Sequence, residues 1–238
     1  MDTLYIVMPA YNEAENIRAV VEQWYPKLED ASDRSRLVVA DSGSTDRTRE
    51  ILKEMRTGGF TKLEALDTGC QYHGPKLIAL YDYAIRSGAD YVFQTDSDGQ
   101  TDPDEFDAFW KRRRRYAAIF GYRKERGDGQ DRAFVERVVC LLVRGFFGVK
   151  VPDANAPFRL MRADRLKEYL CRLPSDYHIP NIMITTYFAY YKEKIAFRQI
   201  SFKPRKKGVN SMNLSKIVRT GWIALGDFAR FKKEMSER

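Results

Sequence analysis

Over its first 95 residues the sequence switches repeatedly between two hydrophobic periods, and this switching constrains the fold more than any other feature. Leu4–Pro9 (LYIVMP) is a continuous β-branched and aromatic run of strand length, and the segment after it places Ile17, Val20, Val21 and Trp24 at helical spacing. Arg36–Ala40 repeats the strand signal. Asp41–Thr48 (DSGSTDRT) supplies turn and capping residues, and the next stretch sets Ile51, Leu52 and Met55 on one side of a helix. Lys62–Leu66 reads as a weaker third strand, Pro75–Gly88 as a helix ended by its glycine, and Asp90–Thr95 as a fourth strand. A fifth strand is expected at Ala117–Gly121. Near-continuous apolar strands alternating with helices predict an α/β domain with a mostly parallel central sheet flanked by helices, which binds ligands at the carboxyl ends of its strands.

That rule gives the polar clusters a common address. Tyr11–Asn16 (YNEAEN) follows the first strand, Asp41–Asp46 (DSGSTD) the second and Asp96–Gln100 (DSDGQ) the fourth, so three acid-bearing loops are expected along one edge of the sheet. Clustered carboxylates are tolerable when solvated in a turn or when a cation sits between the oxygens. Asp46 and Ser44 also fit helix caps, and Asp102 fits the cap of a helix with Pro103 at its first position. A calcium loop is improbable because Thr101 and Asp107 stand where such a loop needs Gly and Glu. The first strand is followed by no Gly-x-Gly-x-x-Gly, and no Gly-Lys-Ser/Thr occurs, so phosphate recognition must rest on metal and arginine.

The 238 residues, 44% hydrophobic, suffice for one large domain with a short appendage. The net charge of +8 suggests an anionic partner without naming it. Cys70, Cys140 and Cys171 are odd in number and widely spaced, which argues against a disulfide framework or zinc site and fits a reducing cytosol. The N-terminus lacks a basic region before its first strand, so no signal peptide is expected, and the apolar runs fall short of the roughly 20 residues of a spanning helix.

The segments YIVMPAYNEAENI, VVADSGSTDRT and VFQTDSDGQTDPDEF, in this order and spacing, resemble the nucleotide-sugar-binding half of the family 2 glycosyltransferases, whose fold is called GT-A. FGYRKERGDGQDR, PDANAPFRLMR and FKPRKKGVNSMN resemble the polyprenyl-phosphate branch, which includes dolichyl-phosphate mannose synthases. The resemblance covers roughly Leu4 to Met212. It implies a GT-A domain over residues 1–212, divided into a nucleotide-sugar half (1–122) and an acceptor half (123–212), followed by a basic amphipathic helical tail at 213–238.

The same resemblance implies that Asp96, Ser97 and Asp98 form a DXD motif in which Asp96 and Asp98 hold Mg²⁺ or Mn²⁺ with Gln100 as a third ligand. Pro9, Tyr11 and Glu13 fall where relatives wrap base and ribose, and Asp41 where they hydrogen-bond the base. Ser42 departs from the usual Asp-Asp pair and leaves uracil and guanine both open, so the donor is a UDP- or GDP-sugar. His73 and Lys76 stand in place of a basic loop near phosphate or ribose. Arg123, Arg132 and Arg126 are implied as guanidinium groups for an acceptor phosphate or the leaving diphosphate. Asp153 matches the acceptor-side acid, either as a base or as a group orienting Arg159, which the resemblance places, with Arg205 and Ser211, at the acceptor or its phosphate. Arg205 and Ser211 match a loop that closes over the site.

A lipid phosphate is already an oxyanion at neutral pH and needs alignment rather than a base, whereas a sugar hydroxyl needs one. With two histidines and no hydroxyl-acceptor pattern such as Gln-x-x-Arg-Trp, the sequence points to inverting transfer onto polyprenyl phosphate. The alternatives are transfer to a glycan hydroxyl in surface polysaccharide synthesis and non-catalytic nucleotide binding. Nucleic acid is not expected as a partner, because the acid loops would repel a polyanion. His178 reads as structural, and Lys111–Arg115 as a solvated or membrane-attracted surface. The tail, with Ile217, Val218, Trp222, Ile223, Leu225, Phe228 and Phe231, either lies on an anionic bilayer or packs on the core. A cytoplasmic protein, at the inner membrane face or held there by a partner, is expected.

Overall fold

The computed structural model describes the backbone of residues 1–124, 130–204 and 214–237, and the side chains of all of these except 130–132 and 214–224. In chain order the elements are β1 (Leu4–Ala10), α1 (Ile17–Trp24), β2 (Arg36–Asp41), α2 (Thr48–Thr57), β3 (Leu63–Leu66), α3 (His73–Arg86), β4 (Tyr91–Thr95), α4 (Phe106–Trp110), β5 (Ala118–Arg123), α5 (Gln130–Phe147), β6 (Phe158–Arg162), α6 (Ala163–Leu170), α7 (Pro180–Tyr190), β7 (Ile195–Ile200) and α8 (Leu214–Ser236). The strands form a 7-stranded sheet in the order β3-β2-β1-β4-β6-β5-β7. β1 pairs in parallel with β2 on one side and β4 on the other, so the chain reverses its direction of winding between β1 and β4 and opens a crevice there.

The mostly parallel sheet expected from the sequence is present, with one strand reversed. β6 runs antiparallel to both β4 and β5. Its reversal has a positional effect: the loop that enters β6, carrying Asp153, arrives at the same edge where β1, β4 and β5 end.

Alternation along the strands splits the apolar residues between two layers. Tyr5, Val7, Val38, Ala40 and Val92 face the layer formed with α3, α5, α6 and α7. Leu4, Ile6, Met8, Leu37, Val39 and Phe93 face the layer of α1, α2 and α4. Each face of the sheet is therefore covered, which is why the strands read as unbroken apolar runs. Trp24 anchors the second layer, with its ring centroid 5.3 Å from Phe93, which in turn lies 4.7 Å edge-on from Phe158.

The second half of the C-terminal segment belongs to the first layer. Phe228, Phe231 and Met235 are buried, Phe228 against Phe146 and Phe147, and Phe231 against Tyr177 and Tyr187. Of the two alternatives for this segment, core packing holds for these residues; the side chains of Ile217, Val218, Trp222 and Ile223 lie outside the described residues. The run Lys111–Arg115 follows α4 at the edge where β1 begins, away from the acid loops. Arg113 and Arg114 both pair with Asp2, and the Arg113 guanidinium lies 4.0 Å from the Trp110 ring.

Candidate active site

Three loops at the carboxyl edge are stitched together by their own polar side chains. Asn12 adopts a left-handed φ of 54°, which an asparagine tolerates better than most residues. Its N–H donates to Ser44 Oγ at 2.9 Å, and its Oδ1 accepts from Thr45 N at 2.8 Å. Asp46 accepts from Thr48 N with one carboxylate oxygen and from Ala14 N with the other, so the expected cap role holds and extends to the neighbouring loop. Ser44 instead donates to Asp41, which removes it as a cap. Asp41 is buried, and that burial raises its pKa against the opposing hydrogen bond from Ser44. Ser42 donates to Asp67 at 3.0 Å and accepts from Thr68 N at 2.7 Å, tying the end of β2 to the loop after β3.

The β1–β4 crevice is held open by main-chain chemistry. The β1–β4 ladder ends at Val7 and Gln94, two residues before Pro9, which has no N–H to continue it. Ser97 spans the gap by donating to Pro9 O at 2.8 Å. Lys76 lies in the first turns of α3, buried to 1% exposure, where its Nζ donates to Ala10 O at 2.6 Å and lies 5.3 Å from the Tyr11 ring centroid. Burial lowers its pKa, opposed by the charge of Asp41. Tyr11 itself is 41% exposed and presents a face to the crevice edge, whereas Glu13 is buried and accepts from Asn16 Nδ2 at 2.8 Å. His73 begins α3 and is exposed, and His178 is exposed with its ring edge-on to Tyr72.

The DSD turn closes on Gly99, whose φ of 73° favours glycine. Burial, then the charge of Asp98, pushes the Asp96 carboxyl up to about 8. Asp96 Oδ1 accepts from Gln94 Nε2, and Gln94 is set by Asn181, whose amide donates to Gln94 Oε1 at 3.1 Å and accepts from Tyr81 at 2.7 Å. Asp98 accepts from Gln100 N at 3.1 Å, and the Gln100 amide nitrogen donates to Lys203 O at 2.8 Å, so Oε1 is the atom of that side chain that can accept. Among the described residues no three of His, Cys, Asp and Glu come together. Two carboxylates and an amide oxygen are a donor set that would suit a hard divalent cation, and such a cation would offset the Asp98 charge that, after burial, pushes the Asp96 carboxyl up.

At the end of β5 the structure brings together Arg123, Asp153 and a residue that sequence reasoning missed, Glu136. Asp153 accepts from Arg123 Nε at 2.8 Å, Nη2 at 3.0 Å and main-chain N at 3.2 Å, and from Asn155 N at 3.1 Å. Burial opposes its charge, but the guanidinium outweighs it and holds the Asp153 carboxyl below the usual range. Glu136 lies 3.7 Å from the same guanidinium and is pushed up to about 7 by burial and then by the charge of Asp153.

Arg159 lies beneath this cluster. Its side chain is 1% exposed and donates to the carbonyls of Ala154, Ala156 and Asn181, so it supports the loop before β6 from below. Asp153 orients Arg123, not Arg159. Arg126, Arg205 and Ser211 lie outside the described residues, as does the side chain of Arg132.

A sheet of this order with acid loops at its switch point is the GT-A architecture, and solved structures share it. The glucosyl-3-phosphoglycerate synthase of Mycobacterium tuberculosis in complex with UDP aligns over 96% of this chain and 80% of that one with a TM-score of 0.68 at 18% identity. The same synthase with Mn²⁺, UDP-glucose and phosphoglyceric acid gives 0.68 at 19% identity, over the same shares of the two chains. Glycosyl transferase family 2 matches residues 5–232, and the chain belongs to that family. The succinoglycan biosynthesis protein ExoA of Rhizobium meliloti is 37% identical over 106 residues, 42% of this chain and 29% of that protein. The undecaprenyl-phosphate 4-deoxy-4-formamido-L-arabinose transferase of Pseudomonas aeruginosa is 26% identical over 181 residues, 74% of this chain and 52% of that protein. The chain thus spans about half or less of these curated relatives.

Proposed function

We propose that the protein transfers a sugar with inversion from a UDP- or GDP-sugar to a polyprenyl phosphate, using a divalent cation at Asp96, Asp98 and Gln100. The observation that carries this reading is the state of Asp153. A carboxylate that accepts four N–H bonds and is held below its usual pKa is a poor base, so it suits an acceptor that arrives already ionised. The likeness to an undecaprenyl-phosphate transferase supports the same acceptor class. When bound, Mg²⁺ or Mn²⁺ would neutralise charge on the leaving diphosphate. Asp41 would take an N–H of the base, Tyr11 and Glu13 would border base and ribose, and Arg123, squared by Asp153, would meet the acceptor oxyanion. Ser97 and Lys76 would act by fixing the main chain of β1 around the donor.

A lipid acceptor requires access to a membrane surface. Among the described residues no helix is long and apolar enough to cross a membrane. The outer side of α5 carries Phe134 (66% exposed), Val138 and Leu141 (64% exposed) at helical spacing, with Arg137 and Arg144 on its flank. This stripe supports a peripheral contact at the cytoplasmic face of a bilayer. Transfer to a glycan hydroxyl is the second reading, favoured by the likeness to a succinoglycan biosynthesis protein.

The test is a thermal-shift panel of nucleotide sugars with and without Mn²⁺, then incubation of the stabilising donor with a short-chain polyprenyl phosphate or with soluble glycans. Mn²⁺-dependent stabilisation and a glycolipid product are expected; product on a glycan alone selects the second reading. Asp98→Asn should weaken Mn²⁺-dependent donor binding by more than about tenfold, since even second-sphere losses reach that scale. Unchanged calorimetric binding would remove the metal assignment.

A further inference from the structure

Glu136 sits on the inner side of α5, one helical turn from Cys140 and opposite the exposed stripe. Its Oε1 accepts from Ala154 N at 2.8 Å, its Oε2 lies 3.7 Å from Arg123 Nη2, and the same Nη2 donates to Asp153 Oδ1 at 3.0 Å. Two buried carboxyl groups gathered on one guanidinium nitrogen are eased by one proton. Asp153 holds the guanidinium fork of Arg123 and keeps the charge, which leaves the proton on Glu136. The charged or titratable described groups facing Glu136 are Arg123 from β5, Asp153 from the loop before β6, and Cys140 on its own helix. The acid also pins the main chain next to Asp153 through Ala154, so one side chain fixes both the carboxylate and the loop that carries it.

We propose that Glu136, as the neutral acid, is a positioning residue that holds the Asp153 carboxylate square in the fork of Arg123 and so sets the plane in which Arg123 meets the acceptor. This rests on the reading that Arg123 and Asp153 belong to the transfer site. Glutamine keeps an oxygen to accept from Ala154 N and offers Asp153 an amide N–H in place of the acid proton. Alanine reproduces neither.

The experiment compares full-length wild type, E136A and E136Q in steady-state transfer from whichever of UDP-glucose, UDP-N-acetylglucosamine or GDP-mannose stabilises the protein with Mn²⁺. Undecaprenyl phosphate and a soluble glycan serve as acceptors. E136A should lose about tenfold or more in kcat with donor KM within about twofold, and E136Q should recover kcat to within about threefold of wild type, the pattern of an interaction that matters in the transition state. Wild-type kcat in E136A would overturn the positioning role, and an E136Q as slow as E136A would overturn proton donation.

A second measurement does not depend on the acceptor. The folded protein binds the Glu136 proton more tightly than the unfolded chain, so wild type should lose stability relative to E136Q as pH rises from the ordinary carboxyl range, about 4.5, through about 7. A difference in Tm between metal-free wild type and E136Q that stays flat across that window would overturn the shared proton. If no acceptor is turned over, the transferase reading fails while this result still decides the pair.

Discussion

Tyr177 shows how a single buried atom weighs on this fold. Its ring is packed edge-on at 5.3 Å from Phe231, and its buried hydroxyl has no hydrogen-bond partner among the described residues. An unsatisfied buried hydroxyl costs about 1–3 kcal/mol, so Tyr177→Phe, which removes it and keeps the ring, should stabilise the protein by about 1 kcal/mol in chemical denaturation. A loss of stability would mean that the hydroxyl is satisfied in solution. The contrast within the same core is the chain Tyr81, Asn181, Gln94 and Asp96, in which every member has a partner and the last is a site carboxylate. Lys76 follows the same logic: a buried ammonium survives because Ala10 O accepts from it, which makes it part of the frame around Tyr11.

At the scale of elements, the start of α3 packs closely against the loop before α7. A Cβ built on Gly74 would lie 2.4 Å from both Tyr177 O and His178 O, atoms of the main chain that cannot swing aside. Gly74→Ala should therefore cost about 1–3 kcal/mol, read as a fall in urea midpoint at constant m-value. An unchanged midpoint would show that the loop moves freely. The acid loops were legible in the sequence because Asp, Asn, Ser and Gly announce turns locally, and the strands before them announce themselves by composition. Three things were not legible. The reversal of β6 depends on its partners β4 and β5, not on its own residues. Glu136 sits inside an ordinary helical pattern, and its meaning comes from Asp153, seventeen positions on. Arg159 looked like an anion ligand because arginines in such loops often are, but its side chain is turned under the sheet edge to carbonyls that only the fold supplies.

The whole molecule separates its charges along the sheet, with carboxylates of the site at one edge and the Asp2, Arg113 and Arg114 cluster at the other. Its net charge of +8 and the stripe on α5 set the expected behaviour toward membranes: the protein should float with vesicles containing anionic lipid and not with neutral ones. Phe134→Ser with Leu141→Ser should reduce the vesicle-bound fraction about tenfold, since each exposed apolar side chain contributes on the order of 1 kcal/mol or more when buried. Binding that ignores these changes would place the contact elsewhere. The cluster at Asp2 has a different kind of consequence, one that concerns descent. Substitutions there bear on the joint between β1 and the turn after α4, while those at the opposite edge would, on the proposed function, alter what is bound and how it reacts. A lineage of such chains can therefore remodel one end of the sheet while changing its substrate at the other, and the two histories need not keep pace.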